Sequence, residues 1–173
     1  MKDSPMMISL IGMPGCGKST IGRQLAKRLH VAFFDSDQAI EQQQGCSVRA
    51  LFDQEGEARF RDLESGVIDD LTLKSDGVLA TGGGAVLRMV NRLNLRQRTR
   101  VVYLNASPYD LFVRLHHDKN RPLLQVPDVL GQLRLLHSQR HGLYCETAHF
   151  SLDIGRPSVA TVVNMILMQI ELG

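Results

Sequence analysis

The hydrophobic positions of this chain fall into two alternating patterns. Segments with helical spacing include 19–30, in which Ile21, Leu25 and Leu29 share one helix face. Short apolar runs, typical of fully buried strands, occur at 6–11, 31–34, 77–81, 100–104 and 150–154. Strands that alternate with helices predict a parallel sheet covered on both faces by helices. The expected fold class is therefore α/β, with five parallel strands in one domain over residues 1–173.

Capping and breaking residues divide the predicted helices. Gly45 is expected to end one helix, and Ser47 to cap a short one that follows. A separate, longer helix is predicted from 55 to 73, and Pro157 is expected to open the last helix. The segment 119–126 has no clear period, so we predict a loop there.

Composition and charge limit the partners that the chain is expected to have. Of its 173 residues, 43% are hydrophobic and 22% are charged, and the formal net charge is +2. This balance favours neither a nucleic-acid partner nor a membrane surface. A basic stripe at Arg88, Arg92 and Arg96 shares one helix face, which we interpret as a solvated surface. The most apolar stretch, 159–172, is shorter than the roughly 20 residues that a membrane span needs.

The cysteines and histidines predict neither a disulfide framework nor a metal centre. Cys16, Cys46 and Cys145 are odd in number and widely spaced, which fits a reducing cytoplasm. His137 and His141 have helical spacing but lack the glutamate of a metalloprotease motif, so no zinc site is expected. No segment resembles a targeting signal. We expect a cytoplasmic monomer.

The segment Gly12–Ser19 carries the most specific chemistry in the chain. Its sequence, GMPGCGKS, fits the pattern G-x-x-x-x-G-K-[ST] and lies between a predicted strand and a predicted helix. Glycines let backbone N–H groups surround phosphate oxygens, and the helix N-terminus adds positive potential. Lys18 can reach the terminal phosphates of ATP, and Ser19 can ligate Mg²⁺. The residues expected to bind the nucleotide are Gly15, Cys16, Gly17, Lys18, Ser19 and Thr20.

Cys16 occupies a variable position of this phosphate loop. Its thiol would lie near a helix N-terminus and near Lys18, and both favour the reactive thiolate. We therefore expect alkylation at Cys16. The alternative, in which the thiol is turned inward and inert, stays open on sequence alone.

Further motifs follow the phosphate loop in a fixed order. They are Phe34-Asp35-Ser36-Asp37, Phe60-Arg61-Asp62-Leu63-Glu64, Thr81 through Val86, Arg121-Pro122-Leu123-Leu124, and Arg140 followed by Leu143-Tyr144. In this order and at these spacings, the chain closely resembles the shikimate kinases over nearly its whole length. The resemblance implies a five-stranded parallel sheet of the nucleoside-monophosphate-kinase type and a lid over the nucleotide, at about residues 112–126.

The same resemblance implies an activity. The γ-phosphoryl group of ATP would pass, with Mg²⁺, to the 3-hydroxyl of shikimate, giving shikimate 3-phosphate and ADP on the route to chorismate and the aromatic amino acids. Lys18 and Arg121 would neutralise the charge that develops during transfer, with Arg121 reaching the phosphates from the closed lid.

Asp35 and Asp37 are assigned different roles by the resemblance. Asp37 would hydrogen-bond the hydroxyls of shikimate and orient or deprotonate the attacking one, whereas Asp35 would lie near Mg²⁺ and its waters. If the strand continues, the two side chains face the same way because they are two residues apart. The residues alone leave a second role open for Asp37, which is to cap the helix that follows.

Arg61 and Arg140 would grip the substrate carboxylate, because a planar guanidinium pairs bidentately with a carboxylate. Glu64, three residues after Arg61, can hold the guanidinium of Arg61 in place. Without the resemblance, Arg61 would be interpreted as a solvated surface residue.

The glycine segment Gly82-Gly83-Gly84 would bring its backbone close to the substrate, with Gly83 nearest. A side chain there would block the substrate, although the same segment could also be a simple turn.

Two other functions remain compatible with the phosphate loop. A kinase for another polyhydroxy acid, such as gluconate, would also suit arginine clamps. A non-enzymatic nucleotide-binding switch would need neither a carboxylate clamp nor a lid arginine. The presence of Arg61, Arg121 and Arg140 therefore argues against the switch.

Overall fold

The computed structural model describes residues 6–115, 126–155 and 157–173 of the chain. Within them, five parallel strands form one sheet in the order β2-β3-β1-β4-β5. The strands are β1 Met7–Ile11, β2 Phe33–Asp35, β3 Gly77–Ala80, β4 Arg100–Asn105 and β5 Phe150–Asp153. The predicted five-stranded parallel α/β sheet is confirmed.

Helices connect successive strands and form two packed groups. They are α1 Lys18–Leu29, α2 Ser36–Gln44, α3 Val48–Thr72, α4 Met89–Arg98, α5 Pro108–Leu115, α6 Val129–Thr147 and α7 Val159–Leu172. Helix α1 packs against α7, whereas α3 and α6 both pack against α4. The chain crosses the sheet in opposite directions before and after β2, and right-handed crossovers then place the two groups on opposite faces.

The centre of the sheet is the centre of the core. Every residue of β1 and β3 is buried, which explains why these strands are continuous apolar runs rather than alternating ones. Leu10, Ile11 and Leu79 are among the largest fully buried side chains. The functional loops that follow β1 and β3 therefore start from the least mobile part of the fold.

Two predicted helix boundaries are confirmed. Gly45 ends α2 in a left-handed conformation with φ of 69°, and its N–H bonds the carbonyl of Glu41. Ser47 caps α3 by accepting a hydrogen bond from the N–H of Ala50 at 3.1 Å.

The predicted division into a short helix after Ser47 and a longer one that follows is also confirmed. The backbone of Gly56, with φ of 82° and ψ of 169°, is not helical and divides α3 into two helical parts. One predicted boundary is wrong, because the last helix is opened by Ser158 rather than Pro157. The Ser158 hydroxyl accepts the N–H of Thr161.

The arginine stripe along α4 is solvated only in part. Arg96 is exposed, as interpreted, and donates to the carbonyl of Ala148 at 2.9 Å, just beyond the C-terminal end of α6. Arg92 departs from the interpretation, because its side chain is 14% exposed and donates to the carbonyl of Val86 at 2.8 Å. Arg88, which precedes α4, is half-buried and pairs with Asp62 of α3 at 2.6 Å. These contacts join α4 to its neighbours.

The predicted lid overlaps only partly with the described residues. Its first part, 112–115, is the last turn of α5. Residues 116–125, including Arg121, lie outside the described residues, so the prediction of a lid stays a prediction. Among the described residues, no helix is long and apolar enough to cross a membrane.

We expect Gly56→Ala to lower the free energy of unfolding by about 1–3 kcal/mol, because the φ and ψ of Gly56 lie in a region that is essentially restricted to glycine. No atom lies within 4 Å of the added methyl group, so backbone strain alone would cause the loss. Urea unfolding measures the change.

Gly66→Ala is the matched control. Gly66 lies in the same helix, is exposed and also has open space around its Cβ position, but its backbone conformation is not one that side chains avoid. It should raise the free energy of unfolding by up to about 1 kcal/mol. Equal effects of the two substitutions would contradict the conformation assigned to Gly56.

Candidate active site

A cleft of about 290 Å³ opens at the carboxyl ends of β1, β2 and β3. This edge is where ligands bind in open parallel sheets. The cleft brings most of the predicted nucleotide residues together with both predicted aspartates and with Gly82 and Gly83. Its lining residues are Pro14, Gly15, Gly17, Lys18, Ser19, Thr20, Asp35, Asp37, Thr81, Gly82, Gly83 and Leu115.

The phosphate loop between β1 and α1 is held in one shape by its glycines. Gly15 and Gly17 have φ of 78° and 96°, a conformation that other residues rarely adopt. A side chain at Gly15 would also collide with Leu115 at the end of α5. Gly17 is the N-cap of α1 and provides no side-chain cap, so the first N–H groups of the helix remain open to an anion.

The side chain of Lys18 folds back onto the phosphate loop and bonds its carbonyls. Its ammonium group donates to the carbonyl of Gly12 at 2.7 Å and to that of Met13 at 2.9 Å. The side chain is buried, so these carbonyls replace the water that the charge would otherwise need. This arrangement keeps a cation beside the cleft.

The structure decides between the two interpretations of Cys16. Its side chain is fully buried and does not line the cleft, so the expectation of ready alkylation there is wrong. Cys145 is the exposed thiol, and its Sγ lies 3.6 Å from Nε2 of His141. Neighbouring positive charge is therefore a poor guide to reactivity when packing excludes the reagent.

Asp35, not Asp37, caps α2. Its Oδ1 accepts the N–H groups of Asp37 at 3.0 Å and of Gln38 at 3.1 Å, while its Oδ2 accepts the hydroxyl of Ser19 at 2.7 Å. The capping role left open for Asp37 is therefore wrong. The condition under which both aspartates would face the same way is not met, because β2 ends at Asp35 and α2 begins at Ser36.

Ser19 and Asp35 form the part of the cleft that fits a divalent cation. Both present oxygen, the donor that Mg²⁺ prefers, and their side chains touch each other next to the phosphate loop. The hydroxyl and the carboxylate could each hold the ion directly or through water.

Asp37 is a half-buried residue at the cleft, and its buried Oδ1 has no hydrogen-bond partner among the described residues. Burial raises its pKa from 3.8 to about 6, and the nearby carboxylates of Glu64 and Asp35 add to this rise. Lys18 and Arg61 act in the opposite direction without cancelling it. A carboxyl group with free acceptor capacity and a pKa near neutrality is suited to receive a hydroxyl proton.

Arg61 is buried in α3, so its interpretation as a solvated surface residue is wrong. Its side chain is 7% exposed, and Nη1 donates to Oε1 of the fully buried Glu64 at 2.9 Å. Glu57, one turn earlier, accepts from Nη2 at 3.3 Å. Burial raises the pKa of Glu64, and the charge of Arg61 opposes that rise. The predicted support of Arg61 by Glu64 is confirmed.

Arg140 on α6 is the second buried arginine. It is 3% exposed, and its Nε and Nη1 have no hydrogen-bond partner among the described residues. Its charge acts on Glu64 together with that of Arg61. Buried guanidinium donors without acceptors are costly, so a site of this kind suits an anionic ligand that pairs with them.

The segment Gly82–Gly84 after β3 has no space for side chains, because neighbouring side chains of the site already occupy the positions that Cβ atoms would take. A Cβ at Gly82 would lie 2.7 Å from Oδ1 of Asp37, and a Cβ at Gly84 would collide with the guanidinium of Arg61. A Cβ at Gly83 would lie 2.8 Å from Pro14 of the phosphate loop. The structure thus adds a packing reason to the predicted one, in which a side chain would block the substrate.

Sequence reasoning missed two side chains that hold this segment in place. The hydroxyl of Ser36 accepts the N–H of Gly82 at 3.0 Å, and the hydroxyl of Tyr144 donates to the carbonyl of Gly83 at 2.5 Å. Both residues lie in the motifs that carry the resemblance, but sequence spacing does not show which backbone group each one reaches.

Comparisons with known proteins find similarity to shikimate kinases in both sequence and fold. A family model described as "Shikimate kinase" matches residues 14–171. The chain is 51% identical to a curated shikimate kinase of Ralstonia nicotianae over 164 residues. This alignment covers 95% of this chain and 86% of that protein. The solved structure of a shikimate kinase from Acinetobacter baumannii in complex with shikimate is similar, with a TM-score of 0.94, 41% identity, and coverage of 96% of this chain and 93% of that one.

A gluconokinase from Sinorhizobium meliloti is a more distant structural relative. Its TM-score is 0.58 at 18% identity, over 95% of this chain and 90% of that one. At that level of identity, the likeness concerns the fold alone.

We expect Asp37→Asn to stabilise the free protein at pH 8 but not at pH 4. The folded protein protonates this carboxyl group more readily than the unfolded chain does, because its pKa is raised to about 6. Its ionisation therefore costs stability as the pH rises through that value. Removing the charge should raise the free energy of unfolding by roughly 1–3 kcal/mol at pH 8.

The measurement is urea unfolding at both pH values, with Asp53→Asn, an exposed position in α3, as the matched control. The control should change little at either pH. A stability gain for Asp37→Asn that does not depend on pH would mean that the carboxylate is not buried at a cost.

Proposed function

The chain belongs to the shikimate kinase family, and on that premise we propose how its cleft aligns ATP with shikimate. The protein is an ATP-dependent kinase that transfers the γ-phosphoryl group to the 3-hydroxyl of shikimate, giving shikimate 3-phosphate and ADP. The observation that carries our assignment of the site is one juxtaposition. The cleft places the phosphate loop beside Asp37, a buried carboxyl group with free acceptor capacity.

The phosphate loop is proposed to bind the ATP phosphates through the N–H groups at the start of α1. Gly15, Gly17, Ser19 and Thr20 line the cleft at this end, and Lys18 holds its ammonium group there. Cys16 contributes backbone only, because its side chain is buried away from the cleft. Phosphate oxygens would compete with the carbonyls of the loop for Lys18, since a charged acceptor forms the stronger hydrogen bond.

Mg²⁺ is the ion that this kinase uses with ATP, and it neutralises charge on the terminal phosphates. We propose that Ser19 holds it directly and that Asp35 holds it through water. The hydroxyl of Ser19 donates to Asp35 at 2.7 Å, so the two oxygen donors lie side by side. Because Asp35 also caps α2, its position is fixed by the helix rather than by the metal.

Asp37 is proposed to receive the proton of the attacking hydroxyl or to orient that hydroxyl. Its raised pKa brings it closer to the pKa of an effective general base, and Asp37 lines the cleft, where the hydroxyl of an acceptor would reach it. Phosphoryl transfer needs alignment more than a strong base, so the orienting role alone would contribute.

Arg61 and Arg140 are proposed to bind the carboxylate of shikimate. Arg61 keeps Nε without a partner while Glu64 holds Nη1, and Arg140 keeps Nε and Nη1 without partners, among the described residues. A carboxylate is an anionic ligand that would accept hydrogen bonds from such donors. This contact would be remote from the reacting hydroxyl and would fix the orientation of the ring.

Gly82, Gly83 and Gly84 are proposed to bring their backbone against the substrate, with Gly83 nearest. Arg121 is proposed on its motif alone to reach the phosphates from a lid, because it lies outside the described residues. There it would stabilise charge as the phosphoryl group moves.

We also propose that the chain acts as a cytoplasmic monomer without nucleic-acid or membrane partners. The formal net charge of +2 and the three free cysteines support this proposal.

Purified protein with MgATP should release ADP rapidly with shikimate and slowly with gluconate, quinate or nucleoside monophosphates. The reason is that one acceptor must fit the cleft and present a carboxylate to Arg61 and Arg140 and a hydroxyl to Asp37 at the same time. A coupled ADP-release assay across this panel gives the rates, with Lys18→Met as the inactive control. Equal ADP release with and without shikimate would contradict the assignment, and faster release with gluconate would favour the other kinase.

A further inference from the structure

Tyr144 makes a contact that links α6 to the glycine segment after β3. Its hydroxyl donates to the carbonyl of Gly83 at 2.5 Å. Its ring is fully buried and stacks on Tyr103 of β4, with centroids 4.9 Å apart and planes inclined by 27°. Tyr144 lies four residues after Arg140, so the two side chains share one face of α6.

The other carbonyls of the glycine segment are bound by backbone. The N–H of Ala85 reaches the carbonyl of Gly82 at 3.1 Å, and the N–H of Leu87 reaches that of Gly84 at 3.1 Å. The carbonyl of Gly83 is bound instead by a side chain from a distant part of the chain. Glycine imposes little conformational restraint of its own, so this hydrogen bond adds to the packing and backbone contacts that orient the peptide.

Fixing this carbonyl has consequences on both sides. A trans peptide is planar, so the direction of the Gly83 carbonyl also sets the direction of the Gly84 N–H. Gly83 packs against Pro14 of the phosphate loop, and Gly84 packs against the guanidinium of Arg61. The peptide therefore lies between the residues that bind ATP and the residues that we assign to the acceptor.

Burial raises the pKa of the Tyr144 hydroxyl above its usual value, although the charge and the hydrogen bond of Arg140 oppose that rise. The hydroxyl is therefore protonated, and able to donate, near neutral pH.

We propose that Tyr144 is a positioning residue, whose hydroxyl holds the Gly83–Gly84 peptide at the distance from the phosphate loop that phosphoryl transfer requires. This inference rests on the proposed function, because it assumes that the acceptor lies against that peptide. Tyr144 itself need not touch the substrate. Loss of the Tyr144 hydroxyl should lower kcat/KM for shikimate and leave the KM for ATP almost unchanged.

Tyr144→Phe removes the hydroxyl and keeps the stacked ring. We expect kcat/KM for shikimate to fall about tenfold or more, since small misplacements of reacting groups are costly. The KM for ATP should stay within about twofold, because the phosphate loop keeps its own hydrogen bonds. Steady-state kinetics with each substrate varied in turn, together with thermal unfolding, measures both effects.

Tyr103→Phe is the matched control. It removes the same atom from the other ring of the stacked pair, but the hydroxyl of Tyr103 bonds Asn105 at 3.0 Å and His141 at 2.9 Å, and neither residue lines the cleft. Its kcat/KM for shikimate should stay within about twofold of wild type. Equal losses in the two variants, or an unchanged value in Tyr144→Phe, would overturn the proposal.

A second pair of variants keeps the test decisive if Tyr144→Phe does not fold. Position 144 can carry 4-aminophenylalanine, which restores a donor, or 4-methylphenylalanine, which fills the same space without one. We expect the amino variant to retain most of the kcat/KM for shikimate and the methyl variant to lose it. The reverse order would overturn the proposal, whereas a wild-type protein that does not phosphorylate shikimate would refute the proposed function instead.

Discussion

The acceptor half that we propose for the site depends on the buried ion pair between Arg61 and Glu64. Glu64 is fully buried, and without Arg61 its charge would lie in the interior at a cost of several kcal/mol. The pair satisfies one oxygen of Glu64 and leaves the other oxygen, and Nε of Arg61, without partners among the described residues. Arg140 adds a second guanidinium with unused donors. Folding itself therefore desolvates these charges. Because substrate binding need not do so, more of the substrate's binding energy is available to align the reacting groups.

The sheet and its helices set the positions of these charged residues relative to the phosphate loop. Loops at the carboxyl ends of β1 and β3 carry the phosphate loop and the glycine segment, and a Cβ at Gly83 would lie 2.8 Å from Pro14. The donor and acceptor sides therefore pack directly on each other. Helix α3 supplies Arg61 and Glu64, and α6 supplies Arg140, while arginines of α4 join both helices at their ends. A shift of any one helix would thus be transmitted to the cleft.

The sequence was sufficient where the signal is local. Apolar runs located the five strands, and the phosphate loop was recognisable because its glycines serve backbone geometry. It was insufficient where tertiary packing decides. Asp35 caps α2 through one carboxylate oxygen while the other accepts the hydroxyl of Ser19, and Cys16 is buried because the loop packs on the core. The sequence pattern indicates that Arg92 is a surface residue, and only the structure shows that it donates to the carbonyl of Val86.

The methyl ester of shikimate tests the central claim, that Arg61 and Arg140 are held ready for a carboxylate. A charge-assisted contact contributes about 1.5–3 kcal/mol, so the ester should lose roughly tenfold to a hundredfold in kcat/KM with the wild-type protein. That penalty should shrink in Arg61→Ala and in Arg140→Ala, because the group that senses the charge is gone. An ester penalty that is unchanged in both variants would show that neither arginine binds the carboxylate.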